Sequence, residues 1–146
     1  VFRQTLFAEF ERTVHKQMEQ GQPQTADSLS KLWLDLNRQY YGPDLVLDDC
    51  LDIEWGRIPH FYRPFYVYQY ATGYAAATAL AQGLSNGDPQ AQTRYLAFLR
   101  SGGSDHPVEL LRQAGVDMST PQPVAVTMAQ FSSRLTELEQ LLNQQP

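Results

Sequence analysis

Apolar residues near the amino end of the chain recur at helical spacing. Within Val1–Gln20 they are Phe2, Leu6, Phe10, Val14 and Met18, with charged residues between them. The segment Gly21–Pro23 ends this pattern, because a glycine near a helix end and a following proline both stop helices. The pattern predicts a first helix over Val1–Gln20.

Similar signals run along the rest of the chain, and no segment alternates as a strand would. The chain is therefore predicted to be all-α, with six or seven helices joined by short loops. The residues from 144 to 146 are expected to fray. A second helix is predicted up to Tyr41, capped by Thr25 or Asp27, and a short third helix over Ile53–Arg57. A long helix that begins with Pro64 is predicted over Phe65–Gly83, and another follows the turn at Gly87–Pro89. The last two helices are predicted over Val108–Ala114 and from Val124 to Leu142.

Composition fits a folded globular chain. Of the 146 residues, 42% are hydrophobic and 18% are charged. We expect residues 1–146 to form a single helical piece, either a domain or part of a larger one. A net charge of −5 argues against a nucleic-acid partner and against an anionic membrane surface. No apolar run approaches the roughly 20 residues that a membrane span requires.

Two features bear on the cellular setting and on the extent of the chain. Cys50 is the one cysteine, so a disulfide within the chain is impossible and a reducing cytoplasm is expected. The chain begins at Val1 without methionine or a helix cap. We therefore expect a piece of a longer protein, called the parent below, with further motifs upstream.

The segment from Phe61 to Tyr74 is aromatic in seven of its fourteen positions. Four tyrosines step by four residues and would share a face wherever the helix is regular: Tyr62, Tyr66, Tyr70 and Tyr74. They could pack in a core with their hydroxyls on backbone carbonyls or water. They could also line a cleft and donate hydrogen bonds to a ligand or a developing oxyanion. His60 beside them shifts the balance towards a polar cleft.

Nearby residues also leave alternatives open. Gly73 inside a predicted helix costs about 1 kcal/mol relative to alanine, so it serves either close helix packing or the approach of a peptide backbone. Arg57 and Arg63 flank His60. Each could bind a substrate carboxylate or pair with acidic neighbours such as Glu54.

Recognisable metal or nucleophile motifs are missing from the sequence. The histidines His15, His60 and His106 are never four residues apart, so HExxH is absent. Cys50 has no second cysteine for a zinc pair. The residues themselves thus predict no metal site in this chain.

Three phrases of the sequence resemble the oligoendopeptidase F family of the thimet-oligopeptidase-like group. They are Phe2–Glu11, Ile58–Gly73, and Gly102–Asp105 followed by Pro107 and Ala114–Met118. Their order and spacing also match, and the resemblance covers essentially the whole chain.

The resemblance implies a zinc metallopeptidase that cuts oligopeptides in a deep channel between two mostly helical halves. Its zinc is held by the two histidines of HExxH and by a glutamate on the next helix. Those residues would precede Val1, so zinc belongs to the parent and this chain holds none. The chain would be the C-terminal part of the catalytic domain, partnered by the upstream part of that domain and by the peptide, and inactive alone.

The resemblance also assigns roles to the aromatic segment. His60, Tyr70 and Tyr74 would stabilise the oxyanion, and Tyr66, Tyr68, Arg63 and Gly73 would bind the substrate. The family's glycine-rich start is replaced here by Arg63–Phe65, which leaves the tyrosine register open by a residue or two. Glu9 and Glu11 lie in a family phrase but are interpreted as structural.

A rival hypothesis is a stand-alone helical binding module without catalysis. A native start near Val1 would favour it, and an upstream HExxH would exclude it. A third hypothesis is another metallopeptidase subfamily with altered specificity. Because the cleft wall would be exposed in the isolated chain, a homo-oligomer through the aromatic face is a further expectation.

Overall fold

The computed structural model describes residues 1–144, and the regular structure within that range is entirely helical. This confirms the all-α prediction. No helix in the described range is long and apolar enough to span a membrane. The fraying expected of Gln145 and Pro146 lies outside the described residues. In chain order the elements are α1 (Phe2–Glu19), α2 (Ala26–Tyr41), two 3-10 helices (Asp49–Arg57 and Pro59–Tyr62), α3 (Tyr68–Ser85), α4 (Ala91–Ser101), α5 (Pro107–Gln113) and α6 (Gln122–Asn143).

The chain divides into two compact units, Val1–Ala71 and Thr72–Pro146. The prediction of a single helical piece over residues 1–146 stays a prediction. Each unit is described by itself below.

The first unit is built around Trp33 of α2, whose side chain is fully buried. Its ring centroid lies 5.3 Å from that of Phe7 and 5.1 Å from that of Phe10, both on α1. Aromatic rings at these separations gain attraction beyond the burial of their area. Ile58 and Val67 complete the same core. The helical spacing of apolar residues in α1 and α2 therefore exists because both helices cover one aromatic centre.

The start of α2 shows a reciprocal cap. The Thr25 side chain accepts a hydrogen bond from the Ser28 backbone N–H at 3.2 Å, and the Ser28 hydroxyl accepts one from the Thr25 N–H at 2.9 Å. Such pairs satisfy amides that would otherwise lack partners at a helix start. Of the two predicted caps, Thr25 is thus the one used. Gly42, with φ of 79°, ends the helix where it was expected to end.

The predicted start of α3 is wrong. The helix begins at Tyr68, and Pro64 is not its first residue. Phe65 adopts a φ of +55°, which is left-handed and incompatible with a right-handed helix. The first 3-10 helix likewise begins at Asp49, ahead of the short helix predicted over Ile53–Arg57.

The second unit buries small and aliphatic side chains of α4, α5 and the turn after α5. The buried apolar residues of that region are Ala91, Leu110, Ala114 and Val116. Gly115 makes the turn with φ of 98°, a conformation that glycine adopts without steric cost. Asp117 then receives hydrogen bonds from the Ser119 N–H at 2.9 Å and the Ser119 hydroxyl at 2.6 Å.

We expect the stabilisation from Asp117 to disappear in strong acid. The hydrogen bonds from Ser119, aided by Arg112, lower the pKa of Asp117 to about 2. A depressed pKa in the folded state contributes stability above the unfolded value of about 3.9, and that stability is lost as the pH falls through the folded value. The melting temperature of Asp117→Asn should therefore lie below that of the unmutated chain by a constant margin at neutral pH. The margin should shrink between pH 4 and the folded pKa of about 2. A margin that persists unchanged in that window would contradict the assignment.

Candidate functional site

The backbone around His60 is anchored by buried side chains on both sides. Ile58 is only 5% exposed and Val67 is fully buried. Phe61 places its ring centroid 5.2 Å from that of Phe10 in the same core. These anchors fix the chain between residues 58 and 67, in which His60 and Tyr66 are half-buried.

His60, Tyr66 and Tyr70 form one group, here called the His60 cluster. The rings of His60 and Tyr66 are stacked, with centroids 5.8 Å apart and planes inclined by 12°. Tyr70 meets both rings edge-on at 5.6 Å. Its hydroxyl donates to the Tyr66 hydroxyl at 3.2 Å and lies 3.5 Å from Nε2 of His60. The second distance is at the long limit for a hydrogen bond, so these groups can exchange partners at little cost.

The His60 cluster is accessible and keeps unused hydrogen-bonding capacity. Tyr70 is 44% exposed. The hydrogen bond with Tyr66 raises the pKa of Tyr70 above its ordinary value, so its hydroxyl is protonated at neutral pH. Nδ1 of His60 is buried and meets no hydrogen-bond partner among residues 1–144. Buried polar atoms in proteins are nearly always paired. Nδ1 of His60 can therefore still take part in one further hydrogen bond.

The two arginines beside His60 behave differently. Arg57 pairs with buried Glu54 at 2.6 Å, which confirms the predicted pairing with an acidic neighbour. Arg3 shares the same carboxylate oxygen at 2.6 Å. The Arg63 guanidinium instead lies over the ring of Tyr66, 5.0 Å from its centroid. A cation over a tyrosine face is attracted by the ring quadrupole, which keeps this charge next to the His60 cluster.

The other predicted site residues are placed elsewhere. Tyr68 lines a groove of about 560 Å³ together with Glu9 and Arg12 of α1. Gly73 and Tyr74 belong to the second unit, where Tyr74 is 57% exposed. No described atom outside its own helix backbone comes within 4 Å of a Cβ built on Gly73.

The regular helix that a shared face of four tyrosines requires does not extend to the first two of them. Tyr62 and Tyr66 precede α3, which begins at Tyr68. The Tyr62 hydroxyl donates to the Gly56 carbonyl at 2.7 Å, as the structural interpretation of these hydroxyls expected. Tyr66 nevertheless reaches Tyr70, because the turn at Phe65 brings it back over His60.

Sequence reasoning passed over the contact made by Glu11. This carboxylate is only 6% exposed and accepts a hydrogen bond from the Phe65 backbone N–H at 2.7 Å. The available signal was its position, one turn after Phe7 and next to Phe10 on the buried stripe of α1. An acid at a core position needs a donor. Its neighbour Glu9 accepts from the Tyr40 hydroxyl at 2.6 Å, and burial together with this contact raises the pKa of Tyr40 to about 12.

The side chains of residues 1–144 form no cluster that fits the zinc implied by the resemblance. Among residues 1–144, no three His, Cys, Asp or Glu side chains gather closely enough to hold a metal ion. Cys50 is exposed and unpaired with another cysteine.

Comparison with known proteins defines the class. The sequence profile of Peptidase family M3 matches residues 1–130. The chain therefore belongs to peptidase family M3.

Within that family its relatives are oligopeptidases, and the resemblance to oligoendopeptidase F is confirmed. Oligopeptidase PepF of Bacillus subtilis is 48% identical over 143 residues, covering 97% of this chain and 21% of that protein. Group B oligopeptidase PepB of Streptococcus agalactiae is 44% identical over 142 residues, covering 97% of this chain and 24% of that protein. The crystal structure of oligoendopeptidase-F from Enterococcus faecium matches with a TM-score of 0.91 at 47% identity, covering 99% of this chain and 28% of that one. The chain thus spans about a quarter of the length of these relatives.

Proposed function

We propose that this chain is the C-terminal, substrate-facing part of the catalytic domain of a zinc-dependent endopeptidase that hydrolyses oligopeptides in the cytoplasm. The zinc would be held by residues of the parent outside this chain. The observation that carries the proposal is the His60 cluster, in which an imidazole and two phenols converge on an accessible surface. The chain belongs to a peptidase family, which supports a peptide as the ligand of this cluster.

In this proposal the His60 cluster donates hydrogen bonds to the carbonyl oxygen of the scissile peptide. Negative charge develops on that oxygen only as the reaction proceeds, so donors held in place beforehand stabilise the transition state more than the bound substrate. Tyr70 is suited to this role because it is protonated at neutral pH and its contact with His60 is weak enough to exchange. In this proposal the Tyr70 hydroxyl turns its hydrogen bond from Tyr66 to the substrate oxygen by rotation about its C–O bond.

Arg63 and Tyr66 would hold the peptide beside the reacting bond. The guanidinium over Tyr66 places a positive charge at the edge of the cluster, where it can attract a carboxylate of a short peptide. Tyr74 stays a predicted oxyanion donor, and Tyr68 and Gly73 stay predicted substrate contacts. The homo-oligomer through the aromatic face likewise stays a prediction.

The test is peptide hydrolysis by the parent carrying Tyr70→Phe. We expect kcat to fall about tenfold, less than for the loss of a sole oxyanion donor, because the Tyr66 hydroxyl 3.2 Å away can donate in its place. KM and zinc content should change little.

Tyr62→Phe is the matched control, because its hydroxyl is engaged by the Gly56 carbonyl and lies outside the His60 cluster. Equal rates for Tyr70→Phe, Tyr62→Phe and the unmutated parent would exclude the catalytic role of Tyr70. A parent that binds peptides without cleaving them would favour the binding-module hypothesis.

A further inference from the structure

Glu11 connects the core of the first unit to the turn that precedes α3. Its carboxylate is 6% exposed, and its Oε1 accepts the Phe65 N–H at 2.7 Å. The two residues are 54 positions apart in sequence. A buried acceptor that loses its donor is left desolvated without compensation. This contact is therefore well suited to hold a backbone conformation that local sequence does not favour.

Phe65 adopts such a conformation. Its φ of +55° is the one left-handed backbone angle at a non-glycine position among residues 1–144. A Cβ makes this region unfavourable, most of all for a bulky side chain. Strained positions of this kind persist when their surroundings over-determine them. Here α1 supplies two such contacts, since the ring of His15 also meets the Phe65 ring with centroids 4.6 Å apart.

The turn at Phe65 sets the geometry of the His60 cluster. Tyr66 follows it directly, and the direction of the chain at Phe65 decides whether the Tyr66 ring can stack on His60 at 5.8 Å. A regular helix from Pro64 onward would carry Tyr66 along the helix instead of back over His60. The Tyr66 hydroxyl also receives the Tyr70 hydrogen bond, so its placement orients Tyr70 as well.

We propose that Glu11 is a positioning residue of the peptidase reaction, acting through the Phe65 N–H to hold Tyr66 over His60 and thereby orient the donors of the His60 cluster. This inference rests on the proposed function of that cluster. Glu11 itself does not touch the cluster in this proposal. Its contribution is to geometry, and small displacements of catalytic groups carry large rate penalties.

Two substitutions in the parent separate the reach of this side chain from its charge. Glu11→Asp keeps a carboxylate but shortens the side chain by one methylene, so it should lose the hydrogen bond from the Phe65 N–H. Glu11→Gln removes the charge but leaves an amide oxygen at the same reach. We expect Glu11→Asp to lower kcat about tenfold with little change in KM, because the donors are misplaced. Glu11→Gln should stay within about twofold of the unmutated parent.

A third variant tests the turn directly. Glycine adopts φ of +55° without steric cost, so Phe65→Gly added to Glu11→Asp should restore part of the lost kcat. Glu9→Asp is the matched control, since it shortens a carboxylate on the same helix that is bonded to Tyr40 and not to the turn. It should leave kcat unchanged.

The measurements are steady-state kinetics and zinc content of each variant, with His60→Ala as the reference. If His60→Ala leaves kcat unchanged, the proposed function of the cluster fails. If His60→Ala lowers kcat but Glu11→Asp behaves like Glu9→Asp, the positioning role of Glu11 is overturned alone. That role is also overturned if Glu11→Gln loses as much kcat as Glu11→Asp, or if Phe65→Gly restores nothing.

Discussion

Replacing His60 with alanine in the parent is expected to lower kcat for peptide hydrolysis by about 10²–10³, the usual cost of losing a preorganised oxyanion donor. The imidazole stacks on Tyr66 and brings Nε2 to 3.5 Å from the Tyr70 hydroxyl. Removal of the imidazole therefore deletes one donor. It also leaves the Tyr66 ring, whose hydroxyl accepts from Tyr70, without its stacking partner. Because these contacts act mainly in the transition state, kcat and kcat/KM should fall together.

The parent should retain its zinc and its fold in this variant, since the supporting residues Ile58 and Phe61 are untouched and packed in the core. Zinc content and a melting curve check both points. His60→Gln offers a graded comparison, because its amide can donate but cannot stack as an imidazole does, so its rate should be intermediate. His106→Ala, at an exposed histidine before α5, is the control. Unchanged kcat in His60→Ala would show that the cluster is a structural aromatic group.

Local pattern was sufficient for the parts of the fold that local chemistry determines. Apolar spacing located α1 and α2 because both helices cover one aromatic core. Thr25 caps the start of α2 and Gly42 ends it, and both signals lie in the residues next to the helix. The start of α3 was not predictable in this way. It depends on a left-handed Phe65 held by Glu11 from 54 positions away, and such tertiary contacts routinely override local propensity.

The candidate site shows the same division. Aromatic density and a neighbouring histidine pointed to the right segment, and the structure brings His60, Tyr66 and Tyr70 together there. The reason for the convergence was not the four-residue step. A shared face of tyrosines requires a regular helix, whereas Tyr62 and Tyr66 both precede α3. The Tyr62 hydroxyl donates to the Gly56 carbonyl, and Tyr66 follows the turn at Phe65. Which hydroxyl meets which partner therefore depends on the turn, and only the structure supplies it.

The largest stability change in this chain is expected at Trp33. Trp33→Ala should lower the free energy of unfolding by about 3–5 kcal/mol, as is usual when a buried large aromatic is truncated. Its side chain is fully buried and contacts the rings of Phe7, Phe10 and Phe61, the last at a centroid distance of 6.0 Å. Little can collapse into the resulting space, because the neighbours are rigid rings held on α1 and on the second 3-10 helix. Urea denaturation of the chain followed by circular dichroism measures the change. Leu138→Ala, at a residue that is 51% exposed on α6, should change stability by only about 0.5 kcal/mol.

Trp33→Phe separates packing from polarity at the same position. The indole Nε1 of Trp33 is buried without a hydrogen-bond partner among residues 1–144, and an unsatisfied buried donor costs about 1–3 kcal/mol. Phenylalanine loses part of the ring volume but also removes that donor, so the two effects oppose each other. We expect Trp33→Phe to cost well under half as much as Trp33→Ala. A cost equal to that of alanine would mean that the indole is held by its shape alone. Because Phe61 packs on Trp33 and adjoins His60, Trp33→Ala should also weaken the support of the His60 cluster, whereas Trp33→Phe should preserve it.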